Sequence, residues 1–160
     1  MNKTLDTRKI IPGRNGFLFD DAGNQLAQVP KFQTQIEYQN SDYQAAGSAI
    51  VAAVPMSYRV TLNLTETVVT DVDLFKKMID GLKEGKMDAF FDFQGAVKSP
   101  GGETQRLIYR ECVPDGSIDL QNVQVGEIIE RAWTFRVNQP PDLQEWLTGG
   151  SSGQSNRGYV

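Results

Sequence analysis

The chain has 160 residues, 39% of them hydrophobic and 22% charged, a balance that suits one folded domain with its own core and not a disordered segment. Its net charge is −4 with no Lys/Arg cluster, which argues against sequence-specific nucleic-acid binding. It has no histidine and one cysteine, so Ser-His-Asp, Cys-His and histidine-zinc chemistry and an internal disulfide are all excluded. A lone cysteine suits a reducing compartment, and Cys112 reads as a buried strand residue. Residues 1–8 lack the apolar stretch of a secretory signal. The longest apolar run, 49–55, is too short to span a bilayer, so no stable membrane insertion is expected.

Residues 1–15 read as an extended N-terminal arm. Phe17-Leu18-Phe19 and residues 25–29 flank Asp20-Asp21-Ala22-Gly23-Asn24, which predicts a hairpin. Residues 31–39 alternate: Phe32, Thr34, Ile36 and Tyr38 on one side, Gln33, Gln35, Glu37 and Gln39 on the other. Residues 40–57 break the pattern and read as a long loop. Residues 58–69 alternate again, with Tyr58, Val60, Leu62 and Leu64 opposite Arg59, Thr61, Asn63, Thr65 and Thr67.

The spacing predicts one helix over 70–85. Thr70 is placed to cap it, Asp71 and Asp73 fall in the first turn, and Gly85 stops it. Phe75, Met78, Ile79 and Leu82 make an apolar stripe, with Lys76, Lys77, Asp80, Lys83 and Glu84 away from it. Strands are then expected over 87–93, 104–112, 118–125 and 128–138, divided by Ser99-Pro100-Gly101-Gly102, Pro114-Asp115-Gly116 and Gly126. In the last of these, Ile129, Trp133, Phe135 and Val137 share one parity, with Arg131 the exception. A short segment with Leu143, Trp146 and Leu147 follows Pro140-Pro141. Residues 149–160 are Gly/Ser-rich and read as a flexible tail, leaving 1–148 as a single domain.

Three features imitate active chemistry. Gly13-Arg14-Asn15-Gly16 lacks the Lys-Ser/Thr ending of a phosphate loop. Asp20, Asp21 and Asn24 sit in a segment too short for an EF-hand and without its late Glu, so they read as a turn. Asp71, Asp73, Asp88 and Asp92 have no apolar pocket that would set a catalytic pair of carboxylates apart. No enzyme activity, cofactor or metal is expected.

Two features point to assembly. Several strands oppose a hydrophobic face to a face of Gln, Thr and Asn that is polar but weakly charged. Residues 40–57 are long for a hairpin connection yet carry Ala45, Ala46, Ala49, Ile50, Val51 and Val54, an apolar surface that a partner would cover.

Over residues 9–138 the chain resembles phage tail tube proteins of the PBSX-type (XkdM-like) branch. The resemblance runs from Ile11-Pro12-Gly13-Arg14-Asn15-Gly16-Phe17-Leu18-Phe19 through Ala27, the 31–38 strand, Asp42, the Ala/Gly-rich loop and Ser57-Tyr58 into the threonine-rich strand and the helix. It has no counterpart for 149–160. The implied fold is mainly β: a barrel or sandwich of tail-tube type with one flanking helix and a long inter-strand loop. The implied function is structural. Hexameric rings, each subunit giving four strands to one lumenal barrel, stack into a tube that conducts DNA or punctures an envelope. The implied partners are further copies of the chain, a baseplate hub, a tape measure, a tail terminator and, in contractile tails, a sheath; DNA passes without specific binding. The implied place is the virion tail, assembled in the host cytoplasm.

On this reading the lumen is lined by Gln33, Gln35, Glu37, Arg59, Thr61, Asn63, Thr65, Asp119, Gln121, Glu130, Thr134 and Arg136, a slightly acidic set. Ala45, Ala46, Ala49, Ile50, Val51 and Val54 stack rings, and Lys76, Lys77, Asp80, Lys83 and Glu84 face the sheath. Two other readings fit the pattern: a type VI secretion tube protein, which a secretion gene cluster would support, and a monomeric β-sandwich binding module, which would gather its aromatics in loops.

Overall fold

The structure is a computed structural model and describes residues 6–26, 29–68, 74–87 and 90–145. Among these, the strands are β1 (Gly16–Phe19), β2 (Lys31–Tyr43), β3 (Ala52–Thr67), β4 (Phe91–Lys98), β5 (Thr104–Pro114), β6 (Glu130–Val137) and β7 (Asp142–Glu145), with one α-helix, α1 (Leu74–Lys83), and two short 3-10 turns, Thr7–Lys9 and Gly13–Asn15, within the segment expected to be an extended arm. The strands form one antiparallel sheet in the order β1-β4-β5-β6-β3-β2, with β7 on β5.

The period of two in the sequence sets the faces. Val60, Leu62 and Leu64 of β3 and Trp133, Phe135 and Val137 of β6 are buried, while the residues between them point to the other side. β5 meets β6 only where Cys112, Val113 and Pro114 oppose Val137, Arg136 and Phe135. At that narrow joint the sheet folds over. Phe93 and Phe91 of β4 reach to 5.1 Å and 5.3 Å from the Phe135 ring, although β5 separates the two strands in hydrogen-bond order. Trp133 stacks on Phe135 at 5.5 Å, and Phe75 of α1 meets Trp133 edge-on at 6.4 Å. The core is therefore sealed between two leaves of one sheet, with the helix at its side.

β2 closes the other flank. Thr34 Oγ1 lies 2.9 Å from the Tyr109 hydroxyl of β5, and Phe32 lies against Gly95 of β4. A Cβ built at Gly95 would stand 3.3 Å from the Phe32 ring, so a glycine here lets the ring lie on the strand.

Several sequence expectations hold. The turn at 20–24 forms: Asp20 Oδ1 accepts from the Asn24 backbone N–H at 2.7 Å, and Phe19 bridges to Gln25. Phe75 and Met78 pack on the core.

Others change. Residues 40–57 are mostly strand, since β2 runs on to Tyr43 and β3 starts at Ala52, leaving 44–51 as the connection. A bulge beside Gln39/Asn40, with Met56 unpaired, joins the two halves of the hairpin. Residues 118–125 are not a strand, for a reason described below. The strand expected over 87–93 begins at Phe91 and extends to Lys98. Leu82 is half-exposed, beside a groove shared with Met87, Val113 and Ile118, and is not part of the buried stripe. Thr70, Asp71, Asp73, Asp88, Ala27, Trp146, Leu147, residues 1–5 and the tail 149–160 lie outside the described residues.

Cys112 is fully buried at the β5–β6 joint. Burial pushes its thiol up from 9.0 to about 12, with the nearby Asp92 charge acting in the same direction. Above about pH 9 an unfolded thiol ionises while the folded one keeps its proton. The unfolded state then binds fewer protons, so stability falls as pH rises from about 9 towards about 12. Tyr109, raised above 10.0 chiefly by burial, adds to the same loss. Native protein at pH 8 should resist thiol reagents until denaturant is added. A Cys112→Val chain should lose less stability between pH 8 and 10.5 than the parent in urea titrations. Equal losses would exclude the thiol as a cause.

Candidate functional site

The register assembles one polar face across three strands. Lys31, Gln33, Gln35 and Glu37 of β2 stand opposite Thr65, Asn63, Thr61 and Arg59 of β3. Thr61, Asn63, Thr65 and Thr67 in turn oppose Arg136, Thr134, Ala132 and Glu130 of β6. Ten of the twelve residues expected to line a lumen thus share one surface. The apolar residues of the same strands point to the core, which explains how the face stays polar without weakening the fold.

Asp119 and Gln121 are not on it. They belong to the 115–129 connection, where the alternation in the sequence finds no strand to pair with. Arg131 accounts for this path. Its Nε and Nη2 donate to the carbonyls of Asp119 and Leu120 at 3.2 Å and 3.3 Å, holding that backbone on the core side of β6. Removing Asp119 and adding Lys31 changes the sign of the face. It carries Lys31, Arg59 and Arg136 against Glu37 and Glu130, a small positive excess in place of the expected acidic one.

The residue that sequence reasoning missed is Glu66. It lies on the apolar parity of β3 and is buried, accepting from Arg131 Nη1 at 2.9 Å and Trp133 Nε1 at 2.8 Å. Arg131 also lies 4.1 Å over the Phe75 ring. One buried ion pair therefore ties β3, β6, the 115–129 connection and α1 together. Its signal was in the sequence: Glu66 and Arg131 are charges at apolar parity in neighbouring strands, and each needs a partner there.

The face has one fully open edge and one partly open edge. β2 pairs with β3 alone, so its outer edge meets no strand among the described residues. On β6, pairing with β5 stops at Phe135, with one further bond from the Asp115 N–H to the Thr134 carbonyl at 2.9 Å. Beyond the folded body, the β2–β3 hairpin carries Ile36, Tyr38, Tyr43, Ile50, Val51 and Met56, all exposed. Ala45, Ala46, Ala49 and Val54 are exposed beside them.

On the helix, Lys76, Lys77, Asp80, Lys83 and Glu84 are all exposed. Lys77 has a second role. Its Nζ donates to the Phe90 carbonyl at 2.6 Å and sits 4.7 Å over the Phe91 ring, so it fastens α1 to the start of β4. Among the described residues the buried aromatics Phe91, Phe93, Tyr109, Trp133 and Phe135 are in core strands and not in loops, unlike the arrangement expected of a loop-based binding module.

Residues 3–139 match the family model described as phage tail tube protein. No curated protein matches the sequence. The fold is similar to a chain in the cryo-EM structure of the anti-feeding prophage cap, with a TM-score of 0.67, 13% identity and coverage of 90% of this chain and 97% of that one. A chain of an extracellular contractile injection system, in the PVC sheath/tube terminator in its extended state, gives a TM-score of 0.68 at 13% identity, covering 87% and 99%. A chain in the virion of a native gene transfer agent particle gives 0.58 at 10% identity, covering 84% and 99%.

Proposed function

The chain belongs to the phage tail tube protein family and is a structural tail tube subunit, and from this premise we propose that it forms hexameric rings stacked into a hollow tube whose inner wall is the polar face of β2, β3 and β6. The observation that carries the proposal is a polar face with one fully open edge, on β2, and one partly open edge, on β6. An exposed thirteen-residue edge strand templates further pairing, and closing a ring gives each such edge a partner. A cyclic, head-to-tail arrangement uses the two different edges of each copy. The wall then consists of Gln33, Gln35, Glu37, Arg59, Thr61, Asn63, Thr65, Glu130, Thr134 and Arg136, joined by Lys31.

The β2–β3 hairpin reaches an adjacent ring through Ala45, Ala46, Ala49, Ile50, Val51 and Val54. Lys76, Lys77, Asp80, Lys83 and Glu84 face outward to a sheath. The tube conducts DNA or punctures an envelope, and plays a structural role without catalysis. A sheath, a baseplate hub, a tape measure and a tail terminator are its partners in the virion tail, which is assembled in the host cytoplasm. Similar chains occur in a sheath–tube complex, a six-fold symmetrised baseplate and a sheath/tube terminator, which supports this set. Negative-stain microscopy of the purified chain tests the proposal: rings or tubes are expected, and a monodisperse monomer at every concentration would refute it.

A further inference from the structure

The polar face is not uniform. At the end nearest the hairpin it opens into a concavity of about 450 Å³ lined by Gln39, Ser57, Arg59, Arg136, Asn138 and Gln139 among its polar residues. Among the described residues no carboxylate lines it, in a chain with 20 acidic residues. Arg136 opposes Thr61, which makes Arg59 its diagonal neighbour on β3, at the spacing of about 7–8 Å typical of such pairs. Neither guanidinium has an ion-pair or hydrogen-bond partner among the described residues, whereas Arg8, Arg110 and Arg131 each hold a carboxylate. Glu37 stands across from Arg59 in the register but forms no ion pair with it and does not line the concavity. The neutral groups are set to donate. Ser57 Oγ bonds the Gln39 side-chain oxygen at 3.3 Å, which leaves the Gln39 amide protons for another acceptor.

Two unpaired cations side by side repel one another, and an oxyanion between them removes the repulsion while matching the guanidinium fork. We infer that the Arg59–Arg136 concavity is a binding site for a phosphate-type oxyanion, either free or part of a nucleic-acid backbone. The inference deepens the tube proposal and rests on it for its location: in a ring the site recurs around the channel, as a basic collar at one end of each subunit's stretch of wall. Such a collar would touch passing phosphates weakly and without regard to sequence, because each contact adds a salt-dependent increment and reads no base.

The test uses the full chain with two probes, inorganic phosphate and a blunt 20-bp DNA duplex, read by NMR of the arginine side-chain N–H signals and by fluorescence anisotropy. Phosphate should shift the Arg59 and Arg136 signals. Arg59→Gln and Arg136→Gln should each weaken phosphate binding at least about ten-fold, as expected for loss of one charge-assisted bidentate contact, while Lys98→Gln leaves it unchanged. Duplex binding that falls in the same two variants assigns the site to backbone phosphates, and duplex binding that does not fall assigns it to the free anion. Absence of a phosphate response in the parent, or equal binding by the parent and both arginine variants, overturns the site. Microscopy of the same samples separates the two ideas. Tubes without a phosphate response leave the tube reading standing and remove this site, and a phosphate response without tubes does the reverse.

Discussion

Replacing Arg131 with Met should destabilise the subunit by about 3–5 kcal/mol, the range found when one partner of a buried ion pair is removed. The cost comes from Glu66. Its side chain is only 3% exposed, so without Arg131 it would remain as a buried charge with the Trp133 N–H as its one remaining partner. The loss is a large part of the roughly 5–15 kcal/mol that holds a domain together. Arg131 also releases two backbone carbonyls when it goes, so the 115–129 connection should exchange its amide protons faster. Urea denaturation followed by circular dichroism measures the first effect and hydrogen exchange the second. Adding Glu66→Gln to Arg131→Met should recover part of the stability, because Gln still accepts from Trp133 and carries no charge. A loss below about 1 kcal/mol in the single variant would show that solvent reaches Glu66 and that the pair acts as a surface bridge.

Placing Asp at both Ile50 and Val51 should leave a folded subunit that no longer forms tubes. Ile50 is 75% exposed and Val51 54% exposed, so the subunit's own core does not depend on them. Circular dichroism should therefore match the parent. Under the proposed assembly the same two side chains are buried against an adjacent ring, where unpaired carboxylates would carry a heavy desolvation cost. Light scattering should show no growth at concentrations where the parent polymerises. Normal tubes from the variant would exclude the hairpin tip from stacking. An unfolded variant would contradict the exposure of these residues in the lone subunit.

The faces of the sheet were legible in the sequence because strand parity is rigid. Once Val60, Leu62 and Leu64 were assigned to the core, Arg59, Thr61, Asn63 and Thr65 had to point away, and the cross-strand register carried Gln33, Gln35, Thr134 and Arg136 to the same side. The hairpin was not legible, because Pro55 and the small residues around it read as a loop. The structure shows why a proline is tolerated there. β6 pairs with β3 only from Val60 to Thr67, so Pro55 lies where β3 has a free side, next to a bulge. Residues 118–125 failed for the opposite reason. Their local pattern suits a strand, but an arginine at core-facing parity takes their carbonyls before a neighbouring strand can.

The unpaired edge of β2 also governs the subunit as a solute. Between Lys31 and Tyr43 there is no proline, and the only charges are Lys31, Glu37 and Asp42, so the features that usually blunt an exposed edge are sparse. Any extended chain can compete for those backbone groups. Opposing such pairing between copies is the mutual repulsion of chains with a net charge of −4. That repulsion reaches only about 10 Å at 0.1 M salt and shrinks further as salt is added, whereas backbone pairing is short-ranged and uncharged. A stock of free subunits is therefore metastable. Dilute and at low salt it persists; concentrated or salted, it loses its barrier to association while the driving force remains. Under the proposed assembly, growth at an existing ring then becomes a race against misdirected aggregation.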